Sequence, residues 1–189
     1  MKVKTRILHI AKRKFLKYGF YKVSMDSLVK ELRTSKSSLY NHYASKEELV
    51  KAVIDSLNIE INSKLEEILS EDRLTFKGKL IAVSEFTRNL LMSISEDFLE
   101  DLQINTPEIW EYYQKTRMER INKYYRSLFE LGAKEGKVRN DISIDLILAV
   151  YLNLMELPIK MEHISFLNMD NQNVYKDTTE VFLNGIITG

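Results

Sequence analysis

Residues 24–53 read SMDSLVKELRTSKSSLYNHYASKEELVKAV. Three serines at 24, 35 and 45 each stand where a helix would begin, because a serine oxygen can accept from the unpaired N–H groups of a first turn. Ser24 is followed by Asp26, which a helix dipole favours in that turn, and Val23 and Leu28 have the spacing of a hydrophobic staple. This predicts a helix to about Leu32, a turn at residues 33–35, and a short helix after Ser35. Ser45 and Glu48 have the capping-box spacing, and the helix they start runs without a breaker to about Ser70, roughly 37 Å at 1.5 Å per residue. Helix, three-residue turn and short helix make a helix-turn-helix.

The short helix is lean in aliphatic side chains. Leu39 and Tyr43 lie four apart and would pack on Leu28 and Leu32. At 100° per residue, Ser37, Asn41 and Ala44 then face away, flanked by Ser38 and Tyr40. Small polar side chains on an outer face let a helix enter a major groove. Lys36 can reach a guanine edge or a phosphate, and Asn41 can pair with base edges. Ser38, Tyr40 and His42 can donate to phosphate oxygens, and Arg33 adds a further phosphate contact. Lys46 lies at the start of the long helix, where free N–H groups also favour phosphate. Each residue has a plainer alternative: the tyrosines as core, His42 as surface.

Charge is distributed to match. Net charge is +1 over 189 residues, but residues 1–46 hold twelve Lys or Arg against two acids, a net +10, and the remainder is −9. Such opposed ends suit one end meeting a polyanion; a basic face that is merely solvated gives the same count.

Helical periodicity continues along the chain, with only six glycines and two prolines to interrupt it. Ile7, Ala11, Phe15 and Tyr18 share one face of a first helix that Gly19 can end. Further helices are expected at about 73–95, from Thr106 and Pro107 to about Gly132, from Ser143 to Leu157, and at about 172–187, with 158–171 as loop or broken helix. Cysteine is absent, which removes disulfides and thiolate chemistry. No segment is long and apolar enough to span a bilayer, and the N-terminus lacks a signal-peptide core, so a cytoplasmic protein with no membrane partner is expected.

The same residues carry a family resemblance. The stretch from Ser24 to Val53 resembles the DNA-binding domain of the TetR family of bacterial transcriptional regulators at Ser24, Leu28, Ser35, Lys36, Leu39, Tyr40, His42, Tyr43, Ser45, Lys46, Leu49 and Val53. The approach FLKYGFYKVS (15–24) also fits, as do Pro107 with Trp110, EGKVRND (135–141) and FLNGI (182–186) more loosely. The family's Ala-Gly-Val before the serine is Leu32, Arg33 and Thr34 here, and its glycine in the short helix is Ser37. The resemblance implies an all-α fold of about nine helices: a helix-turn-helix domain at 1–46 and a regulatory and dimerisation domain at 47–189. It adds Ser24 and Ser35 to the DNA-facing set, which already holds Ser37 on the outer face of the short helix. It also implies a homodimer, a double-stranded operator of roughly palindromic form, and repression released by a small-molecule effector.

For the dimer, Ile144, Ile147, Leu148, Tyr151, Leu152 and Met155 form one apolar stripe, and Val174, Thr178, Val181, Phe182, Gly185 and Ile186 another. Such stripes either join two subunits in a four-helix interface or pack within one. Phe86, Leu90, Met92, Phe98, Trp110, Tyr113, Met118, Tyr125, Phe129, Tyr151, Met155 and Met161 could line an apolar cavity, or simply be core. A tilt of the long helix would carry a ligand signal to the reading heads. Glu96 with Glu100 and Asp97 with Asp101 are spaced to hold a cation, yet such carboxylates are more often solvated, and no metal or cofactor is expected. None of His9, His42 and His163 belongs to a catalytic motif, so no enzyme is expected; a helical adaptor for protein partners is the remaining alternative.

Overall fold

A computed structural model of the chain describes the backbone of residues 3–160 and 171–187, and the side chains of residues 3–156 and 177–187. Among the described residues the elements are helical, and one isolated bridge joins Val138 to Ile187. The helices are α1 (Val3–Tyr18), α2 (Met25–Leu32), α3 (Lys36–Tyr40), α4 (Lys46–Ser70), α5 (Phe76–Ser93), α6 (Glu96–Asn105), α7 (Pro107–Arg120), α8 (Ser127–Lys134), α9 (Ile144–Lys160) and α10 (Asn171–Ile186). A π-helical turn, Ile121–Arg126, joins α7 to α8 without a break.

Two compact units result. One comprises Met1–Asn62 with Ser93–Arg117, the other Ser63–Met92 with Met118–Gly189. The expected division at residue 46 differs from this packing, in which α4 up to Asn62 belongs with α1–α3.

In the first unit, Ile7, Ala11 and Phe15 of α1 are buried with Leu28 and Leu32 of α2, Leu39 of α3 and Leu49, Val50 and Val53 of α4. Phe15, Phe20 and Phe98 continue this core edge to face, at 6.3 and 6.4 Å between ring centroids. Gly19 ends α1 at φ +74°, and a Cβ there would lie 2.5 Å from Asp101 Oδ2, so the position needs glycine for both conformation and space. The helix at Glu96–Asn105 occupies a span between the expected helices at about 73–95 and from Thr106, where none was expected. Ser95 caps it by accepting from the Phe98 N–H.

The carboxylates of α6 have partners. Asp101 Oδ2 accepts from the Tyr21 N–H at 2.8 Å, and Asp97 Oδ2 from Lys22 Nζ at 2.7 Å. The acidic run therefore grips the α1–α2 connector; the expected solvated face is half right, since Glu100 is exposed.

The second unit is built on aromatic packing. Tyr151 lies 5.4 Å from Phe129, 5.5 Å from Phe182 and 5.9 Å from Tyr125 between ring centroids. Its hydroxyl meets Ser84 Oγ at 3.2 Å, and that of Tyr125 meets Thr87 Oγ1 at 2.9 Å, so two buried phenols are satisfied by α5. Burial pushes the Tyr151 phenol well above its ordinary pKa. The run EGKVRND turns at Gly136 (φ +67°) and fastens the end of α10: Arg139 N–H donates to the Ile186 carbonyl at 2.8 Å.

Two element boundaries differ from expectation. α9 continues to Lys160 through Pro158, where helix-start reasoning ended it at Leu157. A proline in the last turn removes only one intrahelical bond. The expected helix at 73–95 starts at Phe76, after a turn that Glu71 and Arg73 close on each other at 2.8–2.9 Å. Most of the expected loop at 158–171, together with Met161 and the side chain of Val174, lies outside the described residues.

Candidate nucleic-acid interface

α3 is held by its two ends and one leucine. Ser35 caps it with Oγ accepting from the Ser38 N–H at 3.1 Å, and Leu39 is fully buried beneath it. Tyr43, just past the helix, is 3% exposed, as its i+4 relation to Leu39 predicts. The opposite face stays open. Lys36, Ser37, Tyr40 and Asn41 are exposed, and Ser38 and His42 are half-buried. Truncating Leu39 would cost about 2–5 kcal/mol, and it anchors the whole reading face.

The turn before α3 takes the strain that its sequence implies. Arg33 has φ 51° and ψ 48°, the left-handed region, and is the one non-glycine there among the described residues. Its N–H still donates to Lys30 O, and Thr34 N–H to Val29 O, so the turn closes α2 in the ordinary way. Arg6 Nη2 donates to the Leu32 carbonyl at 3.3 Å, tying α1 to the same turn. Arg33 itself is exposed.

Ser24 caps α2 by accepting from Ser27 N–H at 3.1 Å, leaving its own O–H free to donate. Ser35 and Ser37 lie with their hydroxyls 3.0 Å apart. At the start of α4, Ser45 Oγ accepts from Glu48 N–H at 3.1 Å, while Glu48 Oε2 accepts from Ala44 N–H at 2.7 Å, one residue upstream of the usual capping-box partner.

Lys46 is less free than the sequence suggests. Nζ donates to the Tyr21 carbonyl at 3.1 Å and lies over the rings of Phe20 and Tyr21 at 5.7 and 5.8 Å. Partial burial lowers its pKa, opposed by the nearby Asp101. An ammonium has three donors, so one bond to Tyr21 leaves others for an anion. Lys36 is engaged as well, with Nζ 2.8 Å from Asp26 Oδ1.

The expected dimer and ligand residues fall differently. Ile147, Leu148, Tyr151 and Phe182 are buried in the core of the second unit, so they are not an open stripe; Ile144 and Thr178 are half-buried, and Val181 and Gly185 are exposed. The apolar arc of α9 is wide enough to serve two sides, and the core takes the side on which Tyr151 lies. Leu146 and Val150, 55% and 42% exposed, occupy the other side and lie outside the predicted stripe.

Of the ligand candidates, Phe98 belongs to the core of the first unit against Phe20. Trp110 and Tyr113 stack at 5.6 Å on α7. Tyr125, Phe129, Tyr151 and Met155 are buried core, while Phe86 and Leu90 are half-buried on α5. They do not form one wall. An open cavity of about 390 Å³ lies between α5 and α10 and is lined by Lys77, Ile81, Ser84, Glu85, Arg88, Thr179, Glu180, Leu183 and Asn184, none of them a predicted ligand residue. The α5 lining recurs at helical spacing, a signal hidden in the sequence because most of it is polar. Among the described residues no group of carboxylates or histidines is arranged to hold a metal ion, and no helix is long and apolar enough to cross a membrane.

Comparison with known proteins fits this geometry. The sequence pattern described as "Bacterial regulatory proteins, tetR family" matches residues 7–53, the span from α1 into α4. The HTH-type transcriptional regulator QacR of Staphylococcus aureus is 26% identical over 197 residues, covering 98% of this chain and 99% of QacR. The uncharacterized HTH-type transcriptional regulator YhgD of Bacillus subtilis is 29% identical over 160 residues, covering 80% of this chain and 82% of YhgD. In fold, a TetR transcriptional regulator from Chloroflexus aurantiacus superposes with a TM-score of 0.78 over 99% of this chain and 97% of its own, at 16% identity. Residues 7–53, which hold the capped, solvent-facing α3, thus match the TetR family of bacterial regulatory proteins, and relatives that align over most of this chain are HTH-type transcriptional regulators.

Proposed function

We propose that the chain is a repressor that binds a roughly palindromic operator as a homodimer, through α3, and is released by a small molecule. The observation that carries the reading is the open polar face of α3 over a single buried leucine. A helix of five residues with so little buried surface is not there for stability. Lys36 and Asn41 read base edges in this arrangement. Ser24, Arg33, Ser35, Ser37, Ser38, Tyr40, His42 and Lys46 serve the phosphates on either side.

Dimerisation is supported by what α9 and α10 leave uncovered. Leu146, Val150 and Val181 are large exposed apolar side chains, and a Cβ at Gly185 would meet nothing within 4 Å. A second copy of the same two helices would cover them with two-fold symmetry, and a dimer on a palindromic operator reads successive major grooves about 34–36 Å apart, one turn of DNA. For the effector, the α5–α10 cavity brings apolar Ile81 and Leu183 together with charged Lys77, Glu85, Arg88 and Glu180, in the size range of small-molecule sites.

Selection of DNA from a random pool by the full chain tests the core of this. Two inverted half-sites separated by one helical turn are expected, with log affinity falling linearly with log salt. Enrichment of no sequence by the folded protein refutes it and leaves the adaptor reading.

A further inference from the structure

Lys36 opens α3, and Asp26 stands in the first turn of α2. Their side chains meet at 2.8 Å with about three-fifths of each open to solvent. Residues 1–46 contain only two acids. Glu31 is taken by Arg13 and Lys14 of α1. Asp26 is therefore the one carboxylate of this basic region that is spent on a cation of the reading helix.

We propose that Asp26 is a specificity-determining residue: it holds the Lys36 ammonium so that Lys36 rewards a base edge and not a phosphate. This role rests on α3 being the DNA reader. An ammonium carries three donors, and Asp26 uses one. Guanine O6 and N7 are neutral acceptors, so they can take the others while the ion pair persists. A phosphate brings a full negative charge beside the Asp26 carboxylate. It must either displace Asp26 or bear the repulsion, so backbone contact gains little from Lys36. The pair also fixes the direction of a long flexible side chain before binding, which reduces the ordering left to do on the site. The hydrogen bond from Lys36 to Asp26 raises the lysine pKa, keeping it charged while so held.

A strongly basic domain needs such a device. Its charge favours all DNA alike, and useful recognition is the ratio of site to non-site affinity. Placing the acid on the base-reading lysine subtracts from the unspecific term and spares the specific one.

The test compares two duplexes: the site that the wild-type protein selects from a random pool, and a scramble of the same composition. Asp26→Asn is expected to bind the scramble about three- to tenfold tighter, to bind the site with a smaller change, and so to lower the ratio at least threefold, with the scramble's log–log salt slope steepened by about 0.9 per subunit. Asp26→Glu should restore the ratio. In a Lys36→Gln background, Asp26→Asn should leave the ratio unchanged, which separates filtering through Lys36 from simple loss of repulsion. A ratio retained in Asp26→Asn, or an equal fall without Lys36, overturns the proposal. Failure of the wild-type protein to select any site overturns the reader itself, and the proposal with it.

Discussion

Replacing Arg33 by glycine should make the protein more stable and a weaker DNA binder. Arg33 is at φ 51°, ψ 48°, with its N–H bonded to Lys30 O and the following Thr34 N–H to Val29 O. Glycine can keep both bonds. An L-residue in this region costs about 1–2 kcal/mol, which glycine removes. Glycine also loosens the unfolded chain, returning about 0.5–1 kcal/mol of that gain. The net is roughly 0.5–1 kcal/mol in favour of the variant, or about 1–4 °C in Tm for a chain of this size. Binding moves the other way. Removing one phosphate-binding cation per subunit lowers the log–log salt slope by about 0.9, or about 1.8 for a dimer on its site. Thermal melting at fixed protein concentration and fluorescence anisotropy across a salt series measure the two. Arg33→Ala separates them: it loses the charge yet keeps the strain, so it should match the glycine variant in slope and fall below it in Tm. A lower Tm for Arg33→Gly than for wild type refutes the strain argument. An unchanged salt slope removes Arg33 from the residues that meet phosphate.

Gly132→Ala should destabilise the second unit by about 1–3 kcal/mol, because the added Cβ would fall 2.8 Å from two Phe76 ring carbons, and Phe76→Leu in the same chain should recover part of the drop in Tm. Glu66 accepts from Tyr124 OH at 2.7 Å and Lys123 Nζ at 2.9 Å, and the hydrogen bond from Tyr124, then that from Lys123, holds its pKa below the usual carboxylate value. With the folded pKa depressed, its contribution is present above the ordinary value near 4.3 and disappears as pH falls through the folded one. Tm should therefore fall more steeply below about pH 5 in wild type than in Glu66→Gln; parallel curves would show the pair contributes nothing. Val181→Glu places a charge on a residue 72% exposed in the single chain. If α10 joins two copies, sedimentation should show dimer dissociation strengthened at least tenfold, about 1.4 kcal/mol, and an unchanged dimer would exclude that face.

The first fifty residues were legible because their signals are local. Ser24, Ser35 and Ser45 cap helices where the sequence places them, and Leu39 and Tyr43 turn inward on a four-residue spacing. Local rules decide such a region. The second unit was legible only as helices. α9 is apolar around most of its circumference, so periodicity could not say whether Tyr151 or Val150 faces the core. That choice depends on Phe129 and Phe182, distant in sequence. The cavity was illegible for the opposite reason: Lys77, Glu85 and Glu180 look like solvated surface until two helices bring them to one cavity. The grip of Asp97 and Asp101 on Lys22 and Tyr21 spans more than seventy residues of chain, which no spacing rule reaches.

The charge count misleads in a useful way. A net +10 over residues 1–46 suggests a large, undirected attraction to DNA. The structure spends much of it internally: Lys12 on Glu60, Arg13 and Lys14 on Glu31, Lys22 on Asp97, and Lys36 on Asp26. Glu60 and Asp97 come from outside residues 1–46, so these pairs organise the unit at the expense of its external field. Exposed pairs of this kind add little stability, about 0–1 kcal/mol each. Their larger effect is subtraction, since a cation already beside a carboxylate releases less salt on meeting a phosphate. Of the predicted DNA contacts, exposed Arg33 and half-buried Lys46, the latter tied to a carbonyl and not to a carboxylate, remain for the backbone. The salt slope of this protein should therefore count those few contacts per subunit, well short of ten.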